Sequence, residues 1–396
     1  MTGYDRLSAL DASFLHLESH STPMHVGSLA IFEGERFFDG SGRFRLAAVR
    51  DLVTARLHHI PRFRRRLMTV PMEQGRPIWV DDDRFDISYH VRLTALPAPG
   101  TWEQLRALTA RIQMQVLDRS HPLWELWFVE GLEAGRVALV QKTHHALVDG
   151  VSGVDVATVL LDFDQYAETE VARPWSAAPV PSPARLLADT MRERATEPSE
   201  LVRTARGLAR APQRAATRAS EVGRAVRSLV ESSPLASATS FNRPVSASRE
   251  FVGVTIDLAD VRRVRSQLGG TINDVVLAGV AGALRRRFLA RNEVLPEGVR
   301  VLCPVSVRAD DESMELGNRV SAMFVDLPIA EPDPRLRLQM IGEVTRDLKE
   351  REQALGASFL LGLTEYAAPP LLGLVARLVH RQPFVNCGGH GGAREE

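Results

Sequence analysis

Lys142-Thr143-His144-His145-Ala146-Leu147-Val148-Asp149-Gly150 is the stretch on which the reading of this chain turns. It supplies a base, an orienting acid and a turn in one short loop. The residues before the histidines, from Arg136 to Thr143, run Arg-Val-Ala-Leu-Val-Gln-Lys-Thr and favour a strand that delivers the pair at its end. Successive strand side chains point to opposite faces, so His144 and His145 cannot both face one substrate. Beyond Gly150, Ser152 and Asp155 stand in capping-box spacing, and Val151, Val154 and Leu161 fall near helical period, which predicts a helix there. Asp149 then occupies a corner between strand and helix, where a short carboxylate fixes the loop or holds an imidazole. Gly150 gives that corner a permissive backbone.

Other chemistries fit the same letters less well. Zinc takes His and Asp ligands, but neighbouring histidines on opposite strand faces chelate poorly, and no third or fourth ligand lies close in sequence. A nucleophile elbow fails on identity, because Gly150-Val151-Ser152-Gly153-Val154 carries Val where G-x-S-x-G needs its second Gly.

Composition narrows the class. At 396 residues the chain is long for one core, so two domains are expected. The 49 basic and 49 acidic residues cancel and the pI is near 7.2, which gives no reason to expect a nucleic-acid partner. Lys142 and Lys349 are the only lysines, so arginine carries the remaining positive charge. Cys303 and Cys387 are too few for a disulfide framework and too far apart for a zinc motif, as in a protein of a reducing cytosol. The opening Met1-Thr-Gly-Tyr-Asp-Arg has neither a charged leader nor an apolar core, so no secretion signal is read. The most apolar window, Leu355 to Val379, is broken by Glu365, Pro369-Pro370 and Arg377, which favours buried or surface-lying helices over a membrane span.

In order, the spacing predicts helices over Asp11–His16, Leu46–His58 and Trp102–Val116, and strands over Val26–Phe32, Ile78–Val80 and Ile87–Val91. This mixed order reads as an α/β layer structure. Pro122 ends the preceding helix, and the alternation from Leu123 and Trp124 starts a strand. From about Ala167 to Arg243, four prolines followed by an Ala-, Arg-, Leu- and Glu-rich run read as an inter-domain crossover with one or two helices. Its arginines form a solvated face or, alternatively, one that lies against an anionic membrane or lipid droplet.

Phe251 to Asp257 predicts a strand, and Ile272 to Phe288 a helix with Thr271 and Asp274 as its capping box. Val299 to Arg308 reads as a buried strand ending in a charge. A further strand is expected between Gly317 and Pro328, and an amphipathic helix over Arg335–Glu352.

The chain resembles the bacterial wax ester synthase/diacylglycerol acyltransferase branch of the CoA-dependent acyltransferase superfamily. The resemblance rests on Leu7-Ser8-Ala9-Leu10-Asp11-Ala12-Ser13-Phe14-Leu15, Met24-His25-Val26-Gly27, Pro122-Leu123-Trp124-Glu125, the H-H-x-x-x-D-G of His144 to Gly150, Asn273-Asp274-Val275-Val276-Leu277-Ala278 and Gly317-Asn318-Arg319-Val320-Ser321. It implies a two-domain α/β fold like chloramphenicol acetyltransferase, with mixed sheets and a tunnel at the domain interface. The implied division is an N-terminal domain over 1–165, a helical crossover over 166–243, a C-terminal domain over 244–386 and a glycine-rich tail over 387–396. That tail, a glycine run expected to build neither a strand nor a core, stands where the family carries a strand, an Asn-x-Pro-Gly-Pro type turn and more chain, so the expectation is a truncated or altered end.

The same resemblance implies function. Acyl-CoA serves as co-substrate with no further cofactor, and the acceptor is a diacylglycerol or a fatty alcohol. His145 is the implied base, His144 and Asp149 support it, and Arg308 is the implied partner of Asp149. Asn273 and Asp274 lie at the domain interface in the family, so Asn273 is a candidate substrate donor and Asp274 either a ligand or only a cap. Pro122, Leu123 and Trp124 form the family's signature block; Trp124 has no acid/base chemistry, so it shapes the pocket or packs the core. Two rivals remain: a carrier-protein-dependent condensation or polyketide acyltransferase, and an inactive paralogue that coats lipid. The expected setting is cytoplasmic, with peripheral contact to a membrane or droplet as an option.

Overall fold

The computed structural model describes residues 4–71, 75–147, 171–196, 237, 239–243, 245–306, 320–355 and 387–388. The chain divides into two compact units. The first is built on residues up to Pro198 and takes in Val245–Val252.

In chain order the first unit carries β1 (Asp5–Arg6), α1 (Ala9–Leu17), β2 (His25–Phe32), α2 (Leu46–Arg56), β3 (Arg65–Met68), β4 (Ile78–Asp81), α3 (Ile87–His90), β5 (Val91–Ala95), α4 (Trp102–Met114), β6 (Trp124–Glu130), β7 (Val137–His144) and α5 (Pro183–Thr196). Its main sheet runs β2-β7-β6-β5, antiparallel except for the β5–β6 pair, and a second sheet runs β1-β4-β3. β7 lies inside the main sheet and is buried along its whole length, which explains why its apolar residues are continuous rather than alternating. Val137 and Leu139 join one core with Leu7, Leu15, Leu123 and Trp124. Ala138 and Val140 join the opposite one, where Leu105 and Ile112 of α4 pack down. Thr101 and Gln104 close a reciprocal capping box that starts α4.

The second unit contains α6 (Leu258–Leu268), α7 (Ile272–Ala290), β8 (Val299–Ser306), β9 (Val320–Leu327), α8 (Pro334–Leu355) and β10 (Cys387–Gly388). β9 pairs antiparallel and β10 parallel with β8. Leu277, Ala281 and Phe288 of α7 pack on Val299, Val301, Val325 and Leu327 of the strands and on Ile341 of α8.

Local expectations fail in three places. Ile87–His90 is a short helix, because the Asp86 carboxylate accepts from the Ser88 N–H at 2.8 Å and caps it; the strand starts only at Val91. The expected strand from Phe251 to Asp257 is a segment without regular structure whose Val252, Val254 and Ile256 are 64%, 81% and 67% exposed. Its alternation matches a strand, but it pairs with none of the described strands. The glycine-rich tail, expected to build no strand, begins with β10, whose Cys387 and Gly388 pair with Val301 and Leu302 of β8. In the crossover, α5 keeps Arg185 and Arg192 exposed, as a solvated arginine face requires, and packs through its other side. Leu186 is fully buried beside Tyr4, Ile78 and Val80, and the Tyr4 hydroxyl donates to Asp189 at 2.7 Å. The helix expected after Gly150 lies outside the described residues.

Candidate active site

β7 ends at His144, and a single tight turn over His145–Leu147 follows. The two histidines separate as strand alternation requires. His144 is fully buried. Its Nδ1 accepts the Ala146 N–H at 3.0 Å, so its neutral form carries the proton on Nε2, which lies 3.4 Å from the Glu18 carboxylate. His145 is half-buried, and its ring stacks on Phe14 of α1 with centroids 4.9 Å apart and an interplanar angle of 21°. Both backbones are tied down: His144 N–H donates to the Leu123 carbonyl at 3.0 Å, and His145 N–H to the Met24 carbonyl at 2.9 Å.

Glu18 is the site residue the sequence reading missed. Its side chain is only 3% exposed. It accepts from the Met24 N–H at 3.2 Å and from Arg119 Nη2 at 2.9 Å, and it faces His144. Burial alone would raise its pKa, but the bonds from His144, Arg119 and Met24 outweigh burial and hold it at about 2. One ionised carboxylate thus faces the ring of His144 and ties the Met24 segment whose carbonyl holds His145. The signal was faint: Glu18 caps the end of α1, and nothing in its spacing points across to β7.

The α4 side of this strand end is polar. His25 is the ladder partner of His144, and its Nε2–H donates to the Gln113 carbonyl at 2.6 Å. Burial, followed by the Lys142 charge, pushes the His25 pKa down to about 4. Lys142 is fully buried and donates to the Ile112 carbonyl at 3.1 Å; burial pushes its pKa down, opposed by Glu125. Gly27 leaves room for Gln113, since a Cβ there would meet the amide nitrogen at 2.1 Å. That amide instead donates to the Gln141 carbonyl at 2.9 Å.

The other candidate residues divide into those placed and those not described. Trp124 is fully buried, its indole N–H donates to the Phe63 carbonyl at 2.7 Å, and its ring stacks on His90 at 4.3 Å. It therefore packs the core and offers no surface to a ligand. Leu123 is equally buried, and with Pro122 it starts the strand whose first residue pairs with Thr143. The Pro122-Leu123-Trp124 block thus lies buried beside the strand that ends in the histidine pair. In the second unit Asp274 is 3% exposed, accepts from the Thr271 N–H at 2.8 Å to close the cap of α7, and accepts from the Thr345 hydroxyl of α8 at 2.8 Å. Asn273, in the same turn, is exposed. Asp149, Gly150 and Arg308 lie outside the described residues. Among the described residues no three His, Cys, Asp or Glu side chains come together as metal ligands, so the zinc alternative gains no ligand set there. No described helix is long and apolar enough to cross a membrane.

Comparison with known proteins places this arrangement. The model of the wax ester synthase/diacylglycerol acyltransferase catalytic domain matches residues 7–276, and that of the WS/DGAT C-terminal domain matches residues 316–386. Rv1760 of Mycobacterium tuberculosis (strain ATCC 25618 / H37Rv), which bears a diacylglycerol O-acyltransferase name, is 34% identical over 390 residues, covering 95% of this chain and 73% of its own. The protein named tgs2 of Mycobacterium tuberculosis (strain CDC 1551 / Oshkosh), with the same activity in its name, is 34% identical over 351 residues, covering 85% of this chain and 72% of its own. A solved wax ester synthase/diacylglycerol acyltransferase from Marinobacter aquaeolei VT8 is similar in fold, with a TM-score of 0.60 at 24% identity, over 95% of this chain and 78% of that one. The α/β fold with mixed sheets is thus the one that protein has. On the extent of these matches, the chain belongs to the wax ester synthase/diacylglycerol acyltransferase family.

Proposed function

We propose that the protein transfers a long-chain acyl group from acyl-CoA to the hydroxyl of a diacylglycerol or a fatty alcohol, giving triacylglycerol or wax ester. The observation that carries this reading is the family match over residues 7–276, which includes a histidine held at a strand end with its ring half-buried rather than sealed. In the proposed reaction the acceptor oxygen attacks the thioester carbonyl while His145 takes its proton. The tetrahedral intermediate then collapses, the C–S bond breaks, and the proton passes to the departing CoA thiolate. Proton in and proton out balance, and acyl-CoA is consumed as a substrate with no resident cofactor. An imidazole suits both steps because its ordinary pKa lies close to neutrality.

His144 and Glu18 act through geometry, fixing the peptide that presents His145. Asp149 is assigned to holding the imidazole, Arg308 to meeting Asp149, and Asn273 to donating to the substrate. Both acceptors are insoluble in water, so contact with the lipid phase that contains them is part of the proposal. The test is release of free CoA from palmitoyl-CoA with hexadecanol or diolein, with the ester products identified. Thiol release that depends on an alcohol acceptor supports the reading. Transfer only from an acylated carrier protein, or lipid binding without turnover, contradicts it.

A further inference from the structure

α4 carries more than its core-facing stripe. Along its outer side, where Ser248–Phe251 of the first unit lies across it, runs an open groove of about 450 Å³ with Ala107, Ala110, Met114 and Phe251 as its apolar surface. A second cavity of about 220 Å³ shares Ala110, Arg249, Glu250 and Phe251 with the first and continues to Pro23 and His25. From Glu103 to Gln113 the helix rises about 15 Å. The second cavity is lined by Pro23 and His25, which flank Met24, whose carbonyl holds the His145 backbone. The two open cavities therefore follow α4 toward the segment that fixes the reacting histidine.

Its charge is distinctive. Three guanidinium groups, Arg106, Arg111 and Arg249, line it against two carboxylates, Glu103 and Glu250. Glu250 is committed to Arg106, at 3.4 Å, and Arg106 also donates to the Phe251 carbonyl at 2.7 Å. Arg249 spends its donors on backbone carbonyls, those of Ser246 and Ser248 at 2.8 and 3.0 Å and that of Ser21 at 2.5 Å. Among the described residues neither Arg249 nor the exposed Arg111 has a carboxylate partner, so the groove keeps positive charge in excess. A partly apolar groove with planar cations in excess of its carboxylates fits an extended arm that ends in phosphates, since guanidinium groups match phosphate oxygens in pairs.

We propose that this groove takes the phosphate-bearing arm of the acyl-CoA donor, with Arg111 and Arg249 on its phosphates. The proposal rests on the acyl-CoA reading above, but its test does not require turnover. CoA is titrated calorimetrically onto the full-length protein and onto Arg111→Gln, Arg249→Gln and the double variant. Loss of one charge-assisted contact is expected to weaken CoA binding about tenfold per arginine, and raising the salt concentration should weaken the parent protein in the same direction. In turnover, KM for palmitoyl-CoA rises by the same factor, while S-palmitoyl-pantetheine, which lacks the phosphates, reacts equally with all four proteins. Arg249 also ties Ser21, so a loss seen only in that variant together with a lower Tm counts against the proposal. Arg111→Gln, whose parent side chain makes no hydrogen bond or ion pair among the described residues, then decides alone.

Equal CoA affinity in parent and Arg111→Gln protein overturns the assignment, as does a parent that does not bind CoA. Selective loss of binding to phosphatidylglycerol vesicles, with CoA binding unchanged, overturns it in favour of a lipid headgroup. CoA binding that depends on the arginines without ester formation supports the groove and refutes acyl transfer.

Discussion

The end of β7 and the start of α7 handle a pair of neighbouring polar residues in the same way, by different physics. At β7, His144 is buried, accepts from the Ala146 N–H and faces an ionised carboxylate, while His145 beside it is left half-buried on Phe14. At α7, Asp274 is buried in a helix cap and bonded to Thr345, while Asn273 beside it is exposed. In each pair one residue holds the backbone so that the next can be presented. The first site uses titratable groups, and the second uses neutral donors around one carboxylate, so acid and mutation separate them.

Acid produces the largest expected change and should act on the β7 side. His25 and His90 both have pKa values pushed down to about 4, chiefly by burial. Their unfolded values lie near 6.5, so between pH 6.5 and 4 the unfolded chain binds protons that the folded one refuses, and stability falls as pH falls through that window. The two together should remove about 4 kcal/mol between pH 7 and pH 5, read from urea denaturation at each pH. Stability that stays level over that range would show the two rings titrating as if exposed.

Replacing Glu18 with Ala is next. It leaves the Met24 N–H without its acceptor, breaks the ion pair with Arg119 and opens a hole beside His144, and should cost about 3 kcal/mol. Its own titration gives an independent check. A carboxylate held at about 2 contributes stability that is present above its unfolded value of 4.5 and lost as pH falls toward 2. That acid limb should vanish in Glu18→Ala and persist in the parent.

On the α7 side, Asp274→Ala should cost about 2 kcal/mol, because it removes both the cap and the bond to α8. Asn273→Ala should change stability by less than about 0.5 kcal/mol while lowering transfer, if the exposed amide serves the substrate. Equal effects on stability would erase the division of labour inferred for this pair.

Much of this was legible in the letters. The β-favouring run before His144 specified a strand, and Thr271 with Asp274 specified a cap, because both patterns are local. Strand alternation correctly predicted that the histidines part company. What escaped depends on long-range placement. Glu18 reaches His144 across 126 positions, and Arg119 meets it from a loop beyond α4. For Trp124 the letters left pocket and core as equal readings, since burial follows from sheet order rather than from its neighbours. The false strand at Phe251 to Asp257 has the right alternation, yet pairing needs a partner edge that no local pattern encodes.

The measurement that bears most directly on the account sets His145→Ala and His144→Ala side by side, reading both CoA release from palmitoyl-CoA with an alcohol acceptor and thermal unfolding. The account predicts that His145→Ala loses roughly 100- to 10,000-fold in rate with its Tm nearly unchanged. His144→Ala, which leaves the Glu18 charge buried without its imidazole, should lose about 3 kcal/mol of stability. Parent-like CoA release from His145→Ala, or a collapse of stability in that variant with His144→Ala unaffected, would contradict it.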